Sequence, residues 1–177
     1  MVAVFWDSRG VILAEYLKKG ETVHGAYYAS QLMRLREAIK VKRVGMLTKR
    51  VLFHQDNAPA YTSVIAMSAI ESCAFKLLRH PPYSPDFDPS YFHLFPKLKN
   101  HLAGTHFRSD DDIMAAVDDF FFAMQEETFY KEGIMGLQHR WQKFVALKGS
   151  TLKNNHKHLD YWQPLLGDPR TFQLLLV

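Results

Sequence analysis

Residues Val51–Tyr61 read VLFHQDNAPAY. Three apolar residues run straight into His54, Gln55, Asp56 and Asn57, and the chain turns at Pro59. So short an apolar run, closed by turn-forming residues, is the pattern of a buried strand. Pro59 suits the first turn of a helix, which the spacing of Val64, Met67 and Ile70 extends to Ser72. In α/β folds the carboxyl ends of strands carry the sites, and Asp56 sits at such an end. A carboxylate there can ligate Mg²⁺, which takes one or two protein carboxylates, and Asn57 can position a substrate or cap the helix. Asp-Asn ahead of an alanine and a proline is also ordinary helix-start chemistry, so a plain turn stands as the alternative.

The pattern around this stretch alternates strands and helices. Val2–Phe5 and Val11–Tyr16 flank turn residues Asp7, Ser8 and Gly10, which predicts a β-hairpin. Tyr28, Leu32, Leu35 and Ile39 recur at helical spacing and predict an amphipathic helix over 26–40. A basic connector with Lys40, Lys42, Arg43, Lys49 and Arg50 leads into the strand at Val51. AFKLLRH, residues 74–80, predicts a strand, and PPYSPDFDPS, with four prolines, an irregular shaped loop. A helix is expected from Pro89 or Ser90 to Gly104. Another follows, with Ser109 and Asp112 in capping-box spacing and Ile113, Ala116, Val117, Phe120, Phe121 and Met124 on its buried face. The last periodic segment carries Ile134, Leu137, Trp141, Phe144 and Val145 and stops at Gly149. A hairpin followed by strands with helical crossovers makes an α/β domain with a mixed sheet.

At 177 residues and 47% hydrophobic, the chain is long enough for one sizeable core. Its single cysteine, Cys73, excludes an internal disulfide and a cysteine-rich zinc site and favours a reducing compartment. Charge arrives at Asp7, too early for a leader peptide, and no apolar run is long enough for a membrane helix, so neither secretion nor a membrane partner is expected. The nine histidines, His54, His80 and His93 among them, show no zinc-ligand spacing. A net charge of +4 permits a polyanionic partner. The five connector cations are its candidate contacts, although a solvated loop explains them equally well.

The succession of HQDNAPA, a helix, a strand ending in HPPYSPD, and then PSYFHLF resembles the catalytic domain of mariner transposases. The likeness continues through VFWDSRGVI, GETV, KRVGMLTKR, SDDDI and HRWQKFVALKGS, from Val2 to about Ser150. The resemblance implies a ribonuclease H-like mixed sheet flanked by helices. It also implies DNA cleavage and strand transfer by Mg²⁺ or Mn²⁺ held on three aspartates, with DNA and a second copy of the chain as partners and the nucleus as location. By position, Asp56 matches the second aspartate, while the third falls on Tyr91. The first belongs to a strand preceding the VFWDSRG hairpin and is expected to be missing, as is the DNA-recognising helix-turn-helix region; Asp7 is the hairpin-turn residue. Tyr61 stands where the family usually has histidine. Asp86 and Asp88 lie in the proline-rich loop and are not expected to replace the third ligand.

The expectation is therefore a partial ribonuclease H-like catalytic domain over 1–150, its first strand missing, and an irregular tail over 151–177. Cleavage is expected to be lost, because two metal ions need converging carboxylates. The alternative function is a noncatalytic DNA-binding or dimerisation module. A missing central strand would leave two facing sheet edges unpaired, a costly arrangement. RTFQLLLV, residues 170–177, is apolar enough to fill that gap or to pair with another chain, against the irregular tail adopted here.

Overall fold

The computed structural model describes residues 1–49, 51–78, 80–146 and 174–176. The hairpin is formed by β1 (Val2–Asp7) and β2 (Gly10–Tyr16), paired antiparallel with an irregularity between Phe5 and Trp6. Helix α1 (Gly25–Lys42) starts at His24, whose imidazole accepts from the Tyr27 amide. It buries Tyr28, Leu32, Leu35 and Ile39, the stripe expected from their spacing. Strand β3 (Val51–His54) pairs parallel with β4 (Phe75–Leu78).

The helix expected over 59–72 is two helices, α2 (Pro59–Thr62) and α3 (Val64–Ser72). Ser63 breaks it with an extended backbone, ψ 153°, and its hydroxyl accepts from the Ala66 amide to cap α3. The break sits against the start of α1. A Cβ on Gly25 would lie 2.9 Å from Ser63 Cβ, so only glycine allows this approach.

After the proline-rich loop, with its 3₁₀ turn at Pro85–Phe87, a π-helical turn over Ser90–Leu94 leads into α4 (Phe95–Leu102). Helix α5 (Asp110–Asp118) carries the expected capping box between Ser109 and Asp112, and a π-helical stretch at Asp119–Met124 follows it. That change of period alters the buried face. Val117, Phe120 and Phe121 are buried, whereas Ile113 and Met124 are exposed. Helix α6 (Glu127–Ala146) begins earlier than the periodic segment suggested; its expected stop at Gly149 lies outside the described residues.

The gap expected beside the hairpin is filled. Strand β5 (Leu174–Leu176) runs parallel to β3, matching Leu52, Phe53 and His54 with Leu174, Leu175 and Leu176, and antiparallel to β1 through Trp6 and Leu176. The five-stranded order is β2-β1-β5-β3-β4. Of the two readings of the final apolar stretch, residues 174–176 follow the strand reading rather than the irregular tail; 151–173 lie outside the described residues.

Period-two alternation gives each strand two apolar faces. On one face Phe5, Ile12, Val51, Phe53 and Phe75 pack with α1 and α3 through Leu32, Leu35, Ala66 and Ile70. On the other, Val4, Trp6, Val11 and Leu52 meet Leu94, Leu98, Phe120, Phe121, Tyr130, Ile134 and Trp141. Between these layers the ends of the central strands are held level.

Candidate functional site

Beyond the carboxyl ends of β3 and β4, Asp56, Asn57, His80, Tyr83, Asp88 and Tyr91 line an open cavity of about 800 Å³. His80 on its lining is backed by the buried His54, with Nε2 of His54 3.2 Å from Nδ1 of His80. Burial pushes His54 down to about 3 and also lowers His80, so the two rings are neutral near pH 7 and one donates to the other. The Asn57 amide donates to the His80 carbonyl at 2.9 Å, tying the two strand ends together. Gln55 is buried; it accepts from the Tyr28 hydroxyl at 2.6 Å and donates to the Tyr61 carbonyl at 3.0 Å. Tyr61 packs on Tyr28 with ring centroids 4.2 Å apart.

Asp56 is exposed on the cavity wall, and its Oδ1 accepts from the Ala58 amide at 2.9 Å, so it also shapes the turn into α2. The turn reading of this residue is thus present, and its carboxylate also lines the cavity. The Asp88 carboxylate accepts from the Ser90 amide at 2.8 Å, and burial pushes its carboxyl up to about 6. It starts the turn that carries Tyr91, whose side chain is 63% exposed. The indole of Trp6 donates to the Ser90 hydroxyl at 3.0 Å and pins this turn to the sheet.

Asp88 thus reaches the cavity that Asp56 lines, which its place in a proline-rich loop did not suggest; the Asp-Pro-Ser run is the local signal for it. Asp86 does not; it is exposed and faces Arg140 at 3.5 Å. His93 is engaged with the Phe129 carbonyl at 2.9 Å.

Within the described residues, the connector cations are not gathered on one surface. Lys40 pairs with Glu37 at 2.6 Å, and Lys42 donates to the Ile12 carbonyl at 2.7 Å. Arg43 grips Asp7 through two bonds of 2.7 and 2.9 Å, with the Asp7 side chain 1% exposed. Lys49 lines a second cavity of about 560 Å³, and Arg50 lies outside the described residues.

Comparison with known proteins places these features. Residues 1–49 match the family model for transposase (partial DDE domain). Mariner Mos1 transposase of Drosophila mauritiana is 40% identical over 155 residues, 86% of this chain and 45% of that protein. The human histone-lysine N-methyltransferase SETMAR is 32% identical over 85% of this chain and 22% of its own length. The chain therefore spans less than half of either curated relative.

The crystal structure of the Mos1 catalytic domain superposes with a TM-score of 0.79 at 40% identity, covering 84% of this chain and 74% of that one. The same domain with raltegravir and Mn superposes at 0.80 with 39% identity, covering 86% and 77%. The Mos1 paired-end complex with Mn superposes at 0.79 with 39% identity, covering 86% and 44%.

The donors present here do not suit a pair of metal ions. Among the described residues no three His, Cys, Asp or Glu side chains converge on one point. Tyr91 offers a phenol oxygen in place of a carboxylate, and Asp88 is turned onto the Ser90 amide with its ionisation disfavoured. Asp56 is left without a matched carboxylate partner.

Proposed function

This chain belongs to the mariner transposases through their catalytic domain, and on that premise we propose that it is a noncatalytic derivative, a module that binds DNA without cutting or joining it. One observation carries the reading: Tyr91 lines the same cavity as Asp56, at the position where the family's third carboxylate is expected. Strand cleavage by two ions requires converging carboxylates that activate the attacking oxygen and stabilise the leaving one. A phenol has one oxygen where a carboxylate has two to share with metal ions. Asp56 keeps the capacity to hold one hydrated Mg²⁺ or Mn²⁺ loosely, as a single carboxylate does.

Support for retained DNA affinity is electrostatic. The chain carries a net charge of +4, and its matched structures include a complex with transposon ends. Genomic DNA as ligand puts the site of action in the nucleus.

The test pairs two assays. Plasmid nicking with Mg²⁺ or Mn²⁺ is expected to stay at the background of the protein-free control. Fluorescence anisotropy with a labelled duplex is expected to show affinity that falls steeply between about 50 and 200 mM salt. Metal-dependent nicking that Asp56→Ala abolishes would overturn the noncatalytic reading, and absence of duplex binding at low salt would overturn the DNA-binding one.

A further inference from the structure

We propose that the second cavity is a phosphate-binding site, and that this chain meets polyanions there rather than at the cavity holding Asp56. The cavity, of about 560 Å³, is closed by three separate parts of the chain. Arg9 comes from the β1–β2 turn, Thr48 and Lys49 from the connector, and Lys131 from α6. Arg9, Lys49 and Lys131 are all exposed.

Two acidic residues also line it, and both are offset. Asp7 is neutralised by Arg43, whose guanidinium binds both carboxylate oxygens. Glu127 is the first residue of α6, where the positive end of the helix dipole offsets its charge. The balance favours an anion. The first cavity differs: among the described residues its lining holds Asp56 and Asp88 and no lysine or arginine. A phosphate near those carboxylates would be repelled, with no metal pair to bridge them.

The two cavities lie at opposite ends of the sheet. Trp6 and His54 are both level with Leu176, but β1 runs antiparallel to β5 while β3 runs parallel to it. The Asp7–Gly10 turn therefore lies toward the amino end of β3, and Asp56 follows its carboxyl end. Thr48 and Lys49 of the second cavity precede β3, so that four-residue strand, about 13 Å long, lies between them and Asp56. Occupation of one site does not need the other.

The phosphate has two sources, a duplex backbone or a free phosphate ion, and only the first rests on the DNA-binding reading above. The experiment uses the full chain, with a labelled random-sequence duplex and inorganic phosphate as separate probes. Arg9→Glu and Lys49→Glu, both at exposed positions, are expected to lower duplex affinity at least tenfold together. They should also reduce the slope of log affinity against log salt by about two, while Asp56→Ala leaves it unchanged. Inorganic phosphate should shift the amide NMR signals of Ser8, Arg9 and Gly45–Lys49. Phosphate shifts without duplex binding would retain the site and discard DNA as its ligand. Duplex binding that ignores both charge reversals, or phosphate that leaves those amides unmoved, would overturn the site itself.

Discussion

Replacing Arg43 by methionine tests the contact that anchors the hairpin to the end of α1. Arg43 makes two bonds to Asp7, at 2.7 and 2.9 Å, and a third to the Gly10 carbonyl at 3.2 Å. The side chains are 11% and 1% exposed, so removing the cation leaves a carboxylate with little water around it. Breaking a buried pair in this way costs roughly 3–5 kcal/mol. Asp7 retains the Arg9 amide, 2.9 Å from Oδ1, which holds the loss near the lower end, about 3 kcal/mol. With a urea m value of about 2 kcal/mol/M, the unfolding midpoint falls by about 1.5 M. Asp7→Leu combined with Arg43→Met removes both charges and should recover much of that loss. A urea double-mutant cycle reads the coupling directly. A single-mutant loss below about 1 kcal/mol, or strict additivity, would show that the pair does not anchor the turn.

Three further outcomes follow from the strand ends. His54 is held near 3 and His80 is lowered, against about 6.5 unfolded, so their contribution is complete above pH 6.5 and is lost as pH falls toward 3. Urea midpoints should drop between pH 7 and 5, with the His54 ring signal not titrating in that range; titration near 6.5 would contradict the buried pair. The shift at Asp88 has the opposite sign: its carboxyl, raised to about 6, destabilises the fold as pH rises from 3.8 through 6. Asp88→Asn, which still accepts from Ser90, should therefore add about 1–3 kcal/mol at pH 7 and nothing at about pH 3, measured by chemical unfolding. Leu175→Pro removes a ladder donor between β1 and β3 and should cost about 2 kcal/mol and speed hydrogen exchange at Leu52–His54. Unchanged exchange there would argue against β5 in solution.

The elements legible from the sequence were those whose signal is local and periodic. The hairpin, α1 and the α5 capping box each depend on residues a few positions apart. Ser63 was not legible as a break, because serine inside a helical pattern is tolerated; the decisive contact is with Gly25, far along the chain. The π-helical stretch at Asp119–Met124 shifts Met124 outward in a way that a 3.6-residue period does not describe. At the site, the motifs singled out Asp56 and Tyr91 one by one; that both line one cavity comes from the fold. The connector cations looked equivalent, yet among the described ones Lys42 and Arg43 find tertiary partners in Ile12 and Asp7, and only folding separates Lys49 from them.

Strand β5 also orders events in time. The hairpin can form within microseconds of its emergence from the ribosome, and α1 shortly after. The sheet, however, is complete only when residues 174–176 reach the slot between Trp6 and Leu52–His54. Until then a nascent chain carries two open strand edges that face each other, the arrangement most prone to pairing with a neighbouring chain. Contacts spanning almost the whole described chain are slow to form. The step that closes this sheet therefore waits on residues 174–176, and the yield of folded protein should depend on how well those two edges are shielded from other chains until that segment arrives.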